Sequence, residues 1–137
     1  MGYAIGVVLA LLVSVFARLV GLDRDRAFYP TILIVIASYY VLFAVMGGSM
    51  RALIVESIVM SAFALAAVAG LKRNLWLVVA ALAAHGIFDF FHAHILDNPG
   101  VPDWWPAFCL AYDLAAAASL AWLSSGPGRG AAYARGR

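Results

Sequence analysis

Residues 75–96 read LWLVVAALAAHGIFDFFHAHIL. A helix of about 20 apolar residues rising about 1.5 Å each crosses the ~30 Å hydrocarbon core of a bilayer, so this stretch predicts a membrane span. Within it stand His85, Asp89, His92 and His94. Ionisable side chains at that depth cost several kcal/mol unless they are paired, and they mark a site or a pathway.

Working outward, the same apolar texture recurs. The chain of 137 residues is 66% hydrophobic and only 12% charged, too little polar surface to cover a soluble domain, which predicts an all-α polytopic membrane protein. Four further stretches have spanning length, Tyr3 to Val20, Phe28 to Met46, Arg51 to Gly70 and Trp105 to Leu123, giving a bundle of five transmembrane helices over residues 1–123. Glycine, proline and charge punctuate the gaps, as in Gly47-Gly48-Ser49 and the loop from Asp97 to Asp103. The segment 124–137, rich in glycine, alanine and arginine, reads as a flexible tail. No basic patch of the nucleic-acid type is present. The single cysteine, Cys109, has no internal partner for a disulfide.

Basic residues give the orientation. Arg18, Arg24, Arg26, Lys72, Arg73, Arg129, Arg135 and Arg137 fall on one side of the alternating spans and only Arg51 on the other. That places the C-terminus in the cytoplasm and the N-terminus outside, in a bacterial inner (cytoplasmic) membrane. The first span has no positive region before its apolar run and reads as a retained helix, not a signal peptide. Counting down from the outer ends puts Glu56, Asp89, Asp113 and the pair Tyr39 and Tyr40 in one layer, roughly 8–14 Å below the outer face. Three of the seven acidic residues are therefore intramembrane. The layer is expected to open outward.

At 100° per residue, Asp89 lies about 40° from His85 and His92 about 20° to the other side, whereas His94 points about 180° away. His94 joins a shared site only where the helix unwinds; otherwise it faces the headgroups or the 97–103 loop. Cys109 and Asp113 stand one turn apart with Tyr112 beside them. Two histidines and an aspartate are a common first shell for zinc, with a carboxylate nearby as base. The expected metal ligands are His85, Asp89, His92 and, conditionally, His94; because i, i+4, i+7 strains the outer pair, two ligands from this helix with one or more from Asp113 or Glu56 fit better, either of these acids serving otherwise as base, and Tyr39 or Tyr112 is the donor to an oxyanion or headgroup. Glu56 has Arg51 as a competing partner. Haem fits less well because all three histidines share one helix. Copper held by Met46, Met50 and Cys109 is a further lesser option. Small-residue stripes, Gly2, Gly6, Ala10 and Ser14 on the first helix, Ala62, Ala66 and Gly70 on the third, and Ala111, Ala115 and Ala118 on the fifth, are expected to seat neighbouring helices.

The block from His85 to Asp113, which includes Pro102-Asp103-Trp104-Trp105-Pro106-Ala107-Phe108-Cys109, resembles the signature of a family of small uncharacterised bacterial integral-membrane proteins, a likeness that implies no activity. His85 and Asp89, one turn apart, also resemble a histidine–aspartate pairing in the membrane hydrolase superfamily that includes the alkaline ceramidases. That superfamily has more spans and carries its further histidines on a later helix. The resemblance implies zinc-dependent hydrolysis.

The leading expectation is a metal-dependent membrane hydrolase acting on a lipid-like or small hydrophobic substrate from the outer leaflet. The alternatives are a small proton- or cation-coupled transporter using Glu56, Asp89 and Asp113, and an accessory or cofactor-holding subunit of a membrane complex. Its partners are then the lipid bilayer and the substrate, with a homo-oligomer or a larger complex as options. Beyond His85 the other halves of the helices are apolar, which argues for a one-sided site.

Overall fold

The structure is a computed structural model that describes residues 1–125. It is all-helical among those residues: α1 (Gly2–Val20), a short 3₁₀ turn (Leu22–Arg24), α2 (Phe28–Met46), α3 (Met50–Lys72), α4 (Trp76–Ile95) and α5 (Trp105–Ser125). All five α-helices are long and apolar enough to cross a membrane, and each lies within a few residues of the span expected from sequence. Ser124 and Ser125, expected in the tail, continue α5. The rest of the expected tail, 126–137, lies outside the described residues.

Local chemistry sets the helix ends. Gly21 takes a left-handed conformation (φ 83°) that closes α1. The Ser49 hydroxyl caps α3 by accepting from Ala52 N at 3.2 Å. Asn74 Oδ1 accepts from Trp76 N at 3.0 Å at the start of α4. Pro30 and Pro106 sit in first turns, where a missing N–H leaves no hydrogen bond unmade.

The helices pack in the order α1–α5–α4–α3–α2, with α2 turning back to touch α4 and barely reaching α5. Large apolar side chains such as Leu12, Phe16, Ile58, Leu65 and Phe91 are exposed. An apolar exterior around a helical bundle is what a multi-pass membrane protein presents to lipid.

Close helix contacts follow the small residues. On α1, Gly2, Gly6 and Ala10 are buried, and a Cβ on Gly2 would come within 2.9 Å of the Trp104 carbonyl oxygen. Ser14 donates across the same interface to Ser119 Oγ at 3.3 Å. On α3 the buried small residues are Ala52, Ala67 and Gly70, and Gly70 meets Val78 of α4. Ala62, expected in that seam, is exposed and lines an open groove against Ala80, Ala81 and Ala84 of α4. On α5 the buried alanines are 111, 116 and 117, while Ala118 is exposed.

Candidate functional site

Two helices deliver a polar cluster into the apolar core. His85 and Asp89 are one turn apart on α4, and Asp113 faces them from α5. The approach depends on Gly86: a Cβ there would stand 3.0 Å from Asp113 Cβ and 3.3 Å from Leu110 Cα. Glycine lets the two backbones close until Asp113 reaches across.

His85 Nδ1 lies 2.7 Å from Asp113 Oδ2 and 3.4 Å from Asp89 Oδ2. The ligand atoms of His85, Asp89 and Asp113 all fall within 4.8 Å of one another, and each residue is 1% exposed or less. Both oxygens of Asp89, Oδ1 of Asp113 and the Tyr40 hydroxyl are buried without a hydrogen bond. The Tyr40 hydroxyl and the Cys109 thiol are neighbours of the Asp89 carboxylate, with no hydrogen bond formed to either of its oxygens. Phe63 closes one side, its ring 4.7 Å from that of His85.

One member of the expected stripe goes elsewhere. His92 Nε2 lies 2.7 Å from Glu56 Oε1 of α3, which divides the polar layer into two groups. Glu56 also accepts from Asn98 Nδ2 at 2.9 Å, and the same amide donates to the Tyr40 carbonyl at 3.1 Å. The Tyr40 ring lies against His92 (centroids 4.3 Å) and beside His85 (6.4 Å), so it stands between the two groups. Glu56 is 1% exposed and turned to His92, not to Arg51, which is exposed.

The expected residues therefore separate. His85, Asp89 and Asp113 come together; His92 and Glu56 form a second pair; His94 is exposed on the outer face of α4, half a turn from the stripe, and shares neither group. Tyr39 is 38% exposed and packs on Trp105 at 5.2 Å, so Tyr40, its neighbour on the inner face of α2, is the tyrosine at the cluster. Tyr112 is buried on α5 and faces a lateral cleft. Met46 and Met50 are exposed beside their turn while Cys109 is buried, and no copper-type set of the three forms.

Sequence reasoning missed Asn98, read there as loop punctuation. The 96–104 loop folds back over the bundle: a Cβ on Gly47 would stand 2.6 Å from Gly100 N, and one on Gly100 would strike the Phe43 carbonyl. This contact carries Asn98 to 7% exposure. The mouth expected at that end is therefore covered. A run of Asn-Pro-Gly gives turn propensity but no sign of where the amide will point.

No family model, curated protein or solved structure matches the chain. Its chemistry is therefore argued from the site.

Proposed function

We propose that the protein is a metal-dependent membrane enzyme, a zinc hydrolase acting on a lipid-like substrate, with His85, Asp89 and Asp113 as the residues that hold the ion. One observation carries this reading: the Asp89 carboxylate is fully buried with neither oxygen hydrogen-bonded. Such a group normally acquires a counter-charge or a proton. The donor set, one imidazole and two carboxylates, suits zinc with one position left over. A tetrahedral shell of about 2.1 Å radius has edges near 3.4 Å, the separation already present between His85 and Asp89. The 2.7 Å contact between His85 and Asp113 would open by several tenths of an ångström on loading.

Bound zinc supplies Lewis acidity, which makes water nucleophilic near neutral pH. The chain's own residues supply the rest. Asp113 Oδ1, without a partner, is free to accept a proton. The Tyr40 hydroxyl, also unpartnered, is the donor for a developing oxyanion. His92, held by Glu56, packs on the ring of Tyr40, and the two act as positioning residues. The resemblance of His85 and Asp89 to the alkaline ceramidase-type pairing supports the same chemistry. The arginine and lysine distribution supports an inner-membrane location with a cytoplasmic C-terminus.

The test is metal analysis of purified protein together with hydrolysis of ester- and amide-linked lipids. The reading expects about one zinc per chain, lost in His85→Ala and Asp89→Ala, with lipid cleavage that follows the metal. Metal that is absent, or unchanged in both variants, overturns it.

A transport reading draws on a separate observation, the two buried histidine–carboxylate groups flanking Tyr40. It requires a continuation past His85, where the core is Leu82, Val78, Leu33 and Leu120, all buried and apolar. Proton flux in vesicles that persists in chelator and is lost in Glu56→Gln would favour it.

A further inference from the structure

The carboxylate cluster is shut in: His85, Asp89 and Asp113 are each 1% exposed or less. An ion, a water molecule or a substrate therefore reaches it only when part of the wall moves. Beyond His85 the core is apolar, with Leu82, Val78, Leu33 and Leu120 buried there. On the flank, Cys109 lines the lateral cleft and adjoins Asp89, but Tyr39, Trp105 and Phe108 pack ring on ring beside it, with centroids 5.2 Å apart at each step. Both routes strip water from a hydrated solute and return little in exchange.

The loop end is different. Inward from it come the Asn98 amide, the Glu56–His92 pair, Tyr40 and then Asp89, a continuous series of polar groups. Of residues 96–104 only Asn98 is buried, and Asp97, Pro99 and Asp103 are exposed. The loop's backbone bonds are local turns, Val101 N donating to Asn98 O and Trp105 N to Pro102 O. Among the described residues, the two bonds from Asn98 Nδ2, to Glu56 Oε1 at 2.9 Å and to the Tyr40 carbonyl at 3.1 Å, are the only hydrogen bonds that tie this loop to a helix other than the flanking α4 and α5. Gly100 meets Gly47 and the Phe43 carbonyl backbone to backbone, so the contact can part without unpacking a large side chain.

We propose that residues 96–104 form a lid over the polar chamber, latched by the Asn98 amide on Glu56 and the Tyr40 carbonyl, and that polar solutes pass between water and the carboxylate cluster at this end of the bundle. Lids are drawn from the least firmly held parts of a fold, and this loop hangs on one buried side chain. The lid rests on the proposed metal site only for the identity of what passes. Its opening does not require metal.

Cys109 is the single cysteine of the chain and its thiol adjoins Asp89, so its reactivity reports access to the chamber. Metal-free full-length protein in lipid nanodiscs, where bilayer covers the flank, is treated with the cationic reagent trimethylammonioethyl methanethiosulfonate, and modification is followed by mass spectrometry. Asn98→Ala is expected to raise the rate at least tenfold, and Asn98→Asp, which sets an acceptor in place of the donor, at least as much. Ser14→Ala breaks the bond to Ser119 between α1 and α5 and is expected to leave the rate within about twofold of the parent, with amide exchange in α5 unchanged in all three variants. Rates in the Asn98 variants equal to the parent's, a rise matched by Ser14→Ala, or a rise accompanied by faster exchange throughout α5 would overturn the lid. With zinc loaded, release to a chelator should quicken at least tenfold in Asn98→Ala while the dissociation constant stays within about twofold, because a lid alters both directions alike. Bound zinc whose release is unchanged in Asn98→Ala would overturn this route. Faster Cys109 labelling in a protein that binds no zinc would sink the hydrolase reading and leave the lid standing.

Discussion

Asp89→Leu is expected to leave the metal-free protein as stable as the parent or more stable, while abolishing zinc binding. The carboxylate is 0% exposed and neither oxygen has a hydrogen bond. Burying a polar group without partners costs about 1–3 kcal/mol, and replacing it with an apolar group of similar size removes that cost. His85 loses only a 3.4 Å contact and keeps Asp113 at 2.7 Å. Asp113→Leu is the opposite case: it removes the short partner of a buried imidazole and should destabilise by about 1–3 kcal/mol. The two variants should therefore differ by about 1–6 kcal/mol, with the parent no more stable than Asp89→Leu and more stable than Asp113→Leu. Reversible unfolding in mixed micelles with chelator present measures this. Zinc at a hundredfold excess over its dissociation constant should then add about 2.7 kcal/mol to the parent and nothing to either variant. Equal destabilisation by Asp89→Leu and Asp113→Leu would refute the reasoning, because Asp89 would then be part of the packing and not a group waiting for a cation.

Other expectations concern the parts around the cluster. Gly86→Ala should force α4 and α5 apart, since its Cβ would meet Asp113 Cβ at 3.0 Å; a loss of about 1–3 kcal/mol and at least a tenfold drop in zinc affinity by titration would be seen. Glu56→Gln and His94→Ala should both retain zinc, the first because Glu56 belongs to the His92 group, the second because His94 is exposed; loss of metal in either, by elemental analysis, would show that the ligand set is drawn wrongly. Asn98→Ala removes bonds to Glu56 and the Tyr40 carbonyl and should cost about 1–3 kcal/mol; amide exchange in residues 96–104 should quicken while α1 is unaffected.

Much of the architecture was legible because lipid imposes length and polarity on each helix separately. Phe28–Met46 could be bounded from its own residues. The site was legible only in part. Helical periodicity relates His85, Asp89 and His92 to one another, but it does not say which neighbouring helix each will face. Asp113 reaches His85 because Gly86 lets α5 approach, while His92 falls two turns along, where α3 is the neighbour and Glu56 the partner. Tyr39 and Tyr40 are adjacent, and only the packing of α2 on α3 and α4 turns Tyr40 inward. Asn98 depended on the long-range fit of Gly100 against Gly47, which no local propensity encodes. The covered end of the bundle follows from the same fit.

Zinc K-edge absorption on the loaded protein tests the central claim most directly. Ligation by His85, Asp89 and Asp113 predicts a shell of one imidazole nitrogen and carboxylate oxygens at about 2.0–2.2 Å, lost in Asp89→Leu. A shell with two or more imidazoles, a sulfur ligand near 2.3 Å, or no tightly held zinc would contradict it.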